Sequence, residues 1–380
     1  MRSLKIDFFR GLALIIIFID HVYNNRLGGY TLRGYGITDA AEIFFFCSGF
    51  VAALVYGRIL ESSGMGAAQI KAVRRALVIY AFHVAAFALL LALSVALKDL
   101  DGVETVLRHR QLHGAVYGDL STALHIFTLN YQPFLFTILP AYMVLSVATP
   151  LFAWLLDRSA TLVFGVSLTI YVLVQLYPDI NFTQGPHGGR WVFNPFAYQF
   201  LFVIGMLFGH SHRHGRLDVP MRLDAAITAF LLLAVVFVFH NFIPFLQKHF
   251  ALFPDYPLPG GLPWTGKVNE EPLRILHFLV LMYAVAYAMG RLGTRFPRFY
   301  RRLVKLAAPV MACGRNSIHI FALGILLSYI GGFVIASYGN GAEVWIPVNA
   351  VGVALLLCAG SWLASRRPGL AAGPRRRGQS

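Results

Sequence analysis

The sequence predicts an all-α integral membrane protein with about ten transmembrane helices and both termini in the cytoplasm. Three observations predict it. Hydrophobic residues make up 57% of the 380 and charged residues 13%, against roughly 25% charged in a soluble domain. Nearly every long apolar run is about 17–25 residues, the length that crosses a hydrocarbon core. Lys and Arg also alternate in density from one connecting segment to the next, as the positive-inside rule requires.

The spans fall near 6–24, 40–57, 76–97, 133–156, 160–177, 195–209, 224–243, 272–290, 310–336 and 345–364. The first run follows Arg2 and Lys5 and so resembles the start of a signal peptide. No small-residue cleavage site precedes the polar Tyr23–Arg26, so it is expected to remain as an anchored span. With the N-terminus inside, cytoplasmic segments hold 21 of the 32 Lys and Arg and external segments eight, while Arg10, Arg274 and Arg315 lie within spans. The net charge of +15 therefore reports orientation and contact with the lipid bilayer, and nucleic acid is not an expected partner.

The largest external loop is 98–132, and the next, 244–271, is rich in Pro and Gly and reads as irregular. The short run at 195–209 and the long run at 310–336, interrupted by Arg315, Asn316, His319 and glycines, are of the kind that lines a cavity in a membrane. Cys47, Cys313 and Cys358 are odd in number and all within spans, which argues against a disulfide framework. The chain divides into one membrane domain, 1–365, and a basic, disordered tail, 366–380, drawn to the anionic inner leaflet.

Within these spans the polar residues stand out. Arg10 and His21 are separated by GLALIIIFID on one apolar helix. Eleven steps make three turns plus about 20°, with a rise of about 16 Å, so the two share a face at different depths. Ionisable groups inside a span usually mark a site. His21, at the external end, suits a general base acting on a hydroxyl from the aqueous side; a polar helix end at the interface is the plain alternative. Asp20 points about 100° away from it and cannot form a dyad along the helix, which leaves Asp39 or Glu42 as candidate orienting carboxylates. Arg10, near the cytoplasmic end, suits an anion clamp for phosphate of a cytosolic ligand; snorkelling with an i,i+3 pair to Asp7 is the plain alternative.

Asp39 and Glu42, three apart at a helix start, could equally serve the helix dipole alone. Ser48, in CSGF, reads as a packing residue beside Gly49. His187, Arg190 and Trp191 precede the sixth span and match an interface belt. Arg274 and His277 share one face of the eighth span, and Arg315 and His319 share one face of the ninth. Together with Arg10 they suggest one shared polar cavity. Arg274 and Arg315 are grouped with Arg10 as donor-binding candidates, and Asp39, Asn316 and His319 as substrate or oxyanion candidates. The histidine-rich HSHRHGR at 210–216 lacks a Cys or carboxylate neighbour in sequence, and no metal is expected there or elsewhere.

Five blocks in order, DFFRGLALIIIFIDH, DAAEIFFFCSGFVAALVYG, WVFNPFAYQFLFVIG, EPLRILHFLVLMY and GRNSIHIFALGILLS, resemble the OpgC family of the acyltransferase-3 superfamily of bacterial membrane enzymes. The resemblance runs from residue 5 to about 330. It implies an inner-membrane O-acyltransferase that moves an acyl group, succinyl in the type case, from cytosolic acyl-CoA to a hydroxyl of an extracytoplasmic glucan. It implies His21 as catalytic base, Asp20 as the aspartate beside it in the family motif, and Arg10 as a residue needed for donor handling. In that reading a tunnel between the helices brings the thioester to His21, and Asn316, Arg315 or a tyrosine stabilises the oxyanion. Two other readings fit the residues: a multispanning anion or proton-coupled transporter, and a glycan-binding membrane protein without chemistry.

Overall fold

The computed structural model describes residues 3–118, 120–184, 189–217, 219–250 and 264–366. His187, the Pro/Gly-rich stretch 251–263 and the basic tail beyond 366 lie outside the described residues. Helices dominate in chain order: α1 (Leu4–His21), α2 (Ala40–Leu97), α3 (Val103–His109), α4 (His113–Tyr117), α5 (Leu120–Phe127), α6 (Ile138–Arg158), α7 (Ala160–Leu176), α8 (Pro195–Arg213), α9 (Leu223–Phe250), α10 (Pro272–Arg295), α11 (Pro297–Leu306), α12 (Ala308–Arg315), α13 (Ser317–Tyr338) and α14 (Ala342–Ser365). A two-residue antiparallel pair, β1 (Thr183–Gln184) with β2 (Gly189–Arg190), precedes α8.

Among the described residues six helices are long and apolar enough to cross a membrane: α2, α6, α9, α10, α13 and α14. The expected spans at 6–24, 160–177 and 195–209 correspond to α1, α7 and α8. Helix α1 carries Lys5, Asp7, Arg10 and Asp20, and α7 has 17 residues.

Two expectations about span boundaries are corrected. The segment 58–75, expected as a loop, is helical apart from Gly64, at φ +77°, where a kink separates the two helices that make up α2; this left-handed conformation costs glycine little. The span expected at 310–336 is two helices, because the chain leaves helical geometry at Asn316 (φ −110°, ψ 34°). There the Asn316 side-chain amide donates to the Ala312 carbonyl at 3.0 Å, satisfying one of the orphan acceptors at the end of α12.

Helix α1 packs against α12, α13 and α2, while α2 also packs along α6 and α8. The α1–α12 contact depends on two facing glycines. A Cβ on Gly11 would stand 1.9 Å from the Val310 carbonyl oxygen, and one on Gly314 would stand 1.8 Å from that of Asp7. Small residues allow such backbone approach between membrane helices, and this approach sets where Arg10 meets the start of α13. Aromatic contacts join α2, α6 and α13, with Phe44 against Tyr142 and Phe321.

Candidate active site

The polar residues collect at the two ends of α1. At the first end, buried Arg10 donates from Nη2 to Ser317 Oγ at 2.6 Å. Arg315 Nε lies 3.3 Å from Asp7 Oδ2, tying the break between α12 and α13 to α1. These residues line a cavity of about 500 Å³ together with Ser48, Tyr142, Asn316 and His319. Arg10, Arg58, Lys71, Arg75 and Arg315 face it, against the single carboxylate of Asp7. The first turn of α13 opens at its wall, and a helix start adds backbone N–H groups and partial positive charge. The cavity is electropositive, with five cationic side chains against one carboxylate in its lining. Ser48 Oγ, read from sequence as packing, is buried in its wall.

At the other end, the His21 ring places Nδ1 2.6 Å from the Ile17 carbonyl. A carbonyl only accepts, so Nδ1 carries the hydrogen and the neutral ring presents a lone pair at Nε2. The ring packs against Phe134, with centroids 5.7 Å apart. Arg110, from the loop after α3, donates from Nη2 to the His21 carbonyl at 2.6 Å and lies over the same Phe134 ring at 4.7 Å. Asp20 is buried, accepts the Thr31 hydroxyl and stands 3.5 Å from Arg33 Nε. It anchors the connection after α1, facing away from the His21 ring's own partner.

Asp39 and Glu42 begin α2 as a reciprocal capping box. Asp39 Oδ1 accepts from the Ala41 N–H at 2.8 Å, and Glu42 Oε2 accepts from the Asp39 N–H at 2.9 Å. The same carboxylates hold cations: Lys267 Nζ is 2.5 Å from Asp39, and Arg274 Nε donates to Glu42 Oε1 at 2.8 Å. Glu270 Oε2 lies 3.6 Å from Arg274 Nε. Burial pushes the Asp39 carboxyl up, but Lys267 and Arg274 more than reverse this and hold it well below the usual range. Burial, reinforced by Glu42, pushes the Glu270 carboxyl well above its range. Two cations, Lys267 and Arg274, therefore face three acidic side chains, Asp39, Glu42 and Glu270, in one cluster at the start of α2.

Several sequence expectations are corrected by this geometry. The polar sets do not share one cavity. Arg274, grouped by sequence with Arg10 and Arg315, sits in the Asp39–Glu42 cluster. Asn316 and His319, grouped with Asp39, line the Arg10 cavity instead. The reason is alternation: α10 starts at the end of the bundle where α2 starts, and α13 starts at the opposite end. That signal was present in the span order. The orienting partner of His21 is the Ile17 carbonyl, since Asp39 and Glu42 are committed to Lys267 and Arg274. Among the described residues the two cavities share no lining residue of α1, which contributes residues only up to Arg10 to the first cavity and Asp20 to the cavity at the His21 end. Leu14 and Ile17 occupy the shared face between Arg10 and His21.

His277 Nδ1 meets the Thr38 hydroxyl at 2.8 Å, beside the α2 start. Arg190 is an exposed partner of Asp179 at 2.5 Å, and Trp191 is buried against Phe182. The histidine-rich segment does have a carboxylate near it. Asp157 of α6 reaches His210 and His214, ligand atoms within 4.8 Å of one another. Arg213 Nη2 already lies 3.4 Å from Asp157 Oδ1 and 3.3 Å from His214 Nε2, a cation held by the same groups. Sequence reasoning missed Lys267, Arg110 and Ser317. The first two lie in loops without periodicity, whereas Ser317 directly follows the polar Arg315–Asn316 pair.

No curated protein matches this chain, and no solved structure does. A family model described as OpgC protein matches residues 2–367, nearly the whole length. The chain that carries this two-ended arrangement belongs to the OpgC family.

Proposed function

We propose that this protein is a glucan-modifying membrane O-acyltransferase of the acyltransferase-3 superfamily, seated in a bacterial inner membrane with both termini in the cytoplasm. The donor is a cytosolic acyl-CoA, succinyl-CoA in the first instance, and the acceptor is a hydroxyl of an extracytoplasmic glucan. The observation that carries this reading is the pairing, along one helix, of an electropositive cavity at Arg10 with an imidazole at His21 held through Nδ1 by the Ile17 carbonyl. The cation-rich end corresponds to the cytoplasmic side by the positive-inside rule.

Arg10, Arg315, Lys71 and Arg75 hold the phosphates of the donor, each as a charge-assisted contact. The packing at Leu14 and Ile17 opens to let the acyl arm reach the other end of α1, a distance of about 16 Å along the helix. There His21 Nε2 accepts the proton of the acceptor hydroxyl as its oxygen attacks the thioester carbonyl. The Nδ1–H bond to Ile17 keeps the ring in the tautomer this needs. The acceptor oxygen gains the acyl group, the thiolate of the donor leaves, and the proton on His21 neutralises it.

The test is mass spectrometry of extracytoplasmic glycans from cells with the intact gene, its deletion, and His21→Ala. The expected result is an ester mass lost in both altered strains while the variant protein remains in the membrane. An ester retained in His21→Ala but lost in the deletion would remove His21 from the chemistry. Identical glycans in all three strains would refute the reading.

A further inference from the structure

A second cavity, of about 260 Å³, opens at the His21 end of α1. Arg26, Arg33, His109 and Arg110 line it with Phe134, and its one acidic lining residue is Asp20. Asp20 is already occupied: it accepts the Thr31 hydroxyl and faces Arg33. Arg110 is the unusual member. It is 4% exposed, yet among the described residues no carboxylate pairs with it, and its one side-chain hydrogen bond goes to the His21 carbonyl. Burial draws its pKa down, the direction taken by a cation without a counter-charge. An uncompensated buried guanidinium is costly. Its planar fork offers five N–H donors, and one hydrogen bond leaves most of them for a planar anion.

We propose that this cavity is a carboxylate-binding subsite, with Arg110 as its principal binding residue and Arg26 as a second, exposed cation at its rim. The site adjoins His21 through Arg110 and Phe134: the guanidinium holds the His21 carbonyl, and the Phe134 ring packs against both the imidazole and the guanidinium. The carboxylate comes from one of two sources. It is the distal carboxylate of a dicarboxylic acyl group whose thioester lies at His21, or a carboxylate carried by the glycan acceptor. Which source applies rests on the acyl-transfer reading; the existence of the anion site does not. An acyl-borne carboxylate would give the enzyme a physical basis for choosing a dicarboxylic donor over acetyl-CoA, since a neutral acyl chain leaves Arg110 uncompensated.

The experiment is ligand binding to the purified full-length protein in lipid nanodiscs, followed by ligand-observed NMR. The probes are monomethyl succinate, its uncharged dimethyl ester, methyl β-glucuronide and methyl β-glucoside. A charged probe is expected to bind and its neutral counterpart to bind at least tenfold more weakly. Arg110→Gln is expected to weaken the charged probe by roughly 10–100-fold, the range for a lost charge-assisted pair. Because Arg110 also holds the His21 carbonyl, Arg26→Gln is the second variant, expected to weaken the same probe several-fold without touching α1. Preference for monomethyl succinate assigns the carboxylate to the acyl group, and preference for the glucuronide assigns it to the acceptor. Equal binding of charged and neutral probes, or charged-probe binding unchanged in both variants, overturns the proposal. Binding is read without turnover, so a failure to detect acyl transfer would sink the proposed function and leave this result standing.

Discussion

Replacing Gly314 with Ala tests whether the close approach of α12 to α1 sets the cavity at Arg10. The added Cβ would sit 1.8 Å from the Asp7 carbonyl oxygen, and ordinary contact begins at 3.4 Å. The obstacle is backbone, so no side chain can rotate away, and the two helices must part by about 1.6 Å. Arg10 and Ser317 are 2.6 Å apart and Arg315 and Asp7 3.3 Å apart across this seam, so a separation of that size breaks both. Overpacking of this kind costs about 1–3 kcal/mol of stability, and misplacing a substrate-positioning group by 1 Å can cost about 100-fold in rate. The assay is thermal unfolding of the purified variant together with its affinity for coenzyme A and the ester content of cellular glycans. The expected outcome is a lowered unfolding midpoint, coenzyme A affinity reduced at least tenfold, and ester nearly absent. Gly165→Ala is the control, since a Cβ there meets nothing within 4 Å. A Gly314→Ala protein with the stability and coenzyme A affinity of the parent would refute the argument.

Other outcomes follow from the same geometry. Leu14→Trp places bulk on the face between Arg10 and His21; transfer should fall at least tenfold while coenzyme A still binds, and a parental rate would mean that the acyl arm takes another route. Glu42→Gln leaves Arg274 buried beside a neutral amide and should cost about 3–5 kcal/mol in chemical unfolding. Glu42→Gln combined with Arg274→Met should recover part of that loss, and a double variant no more stable than the single would count against the pair. Asp39 has its pKa depressed in the folded state, so its carboxylate stabilises the fold at every pH above its ordinary value of 3.8 and the contribution fades as pH falls below it. The unfolding difference between parent and Asp39→Asn should therefore stay constant from pH 5 to 8; a difference that appears only at high pH contradicts this sign.

Much of the architecture is readable before any coordinates. Apolar run length and the uneven spacing of Lys and Arg point to a helical membrane protein, and helical geometry alone aligns Arg10 with His21. The capping box at Asp39 and Glu42 is equally local, because its hydrogen bonds span three residues. Where reading by periodicity stops is instructive. Arg274 and Arg315 each stand three or four residues before a histidine at the edge of an apolar helix, and only the acidic Glu270 and Glu271 before Arg274 tell them apart locally. One ends in a buried cluster with Glu42, 232 residues away in the chain, and the other in a cation-rich cavity beside Asp7. Order of the spans distinguishes them; motif similarity does not.

The sequence by itself determined membrane residence, the helices, the family and the one face shared by Arg10 and His21, because those follow from local composition and from a repeat of 3.6 residues per turn. Tertiary structure decided the partners. It committed Asp39 and Glu42 to cations and turned the His21 ring onto the Ile17 carbonyl of its own helix. It brought Arg110 to the far end of α1 from a loop 89 residues away. Such pairings depend on which helix ends meet and how closely glycine lets them approach, and neither is written in the spacing of residues along one helix.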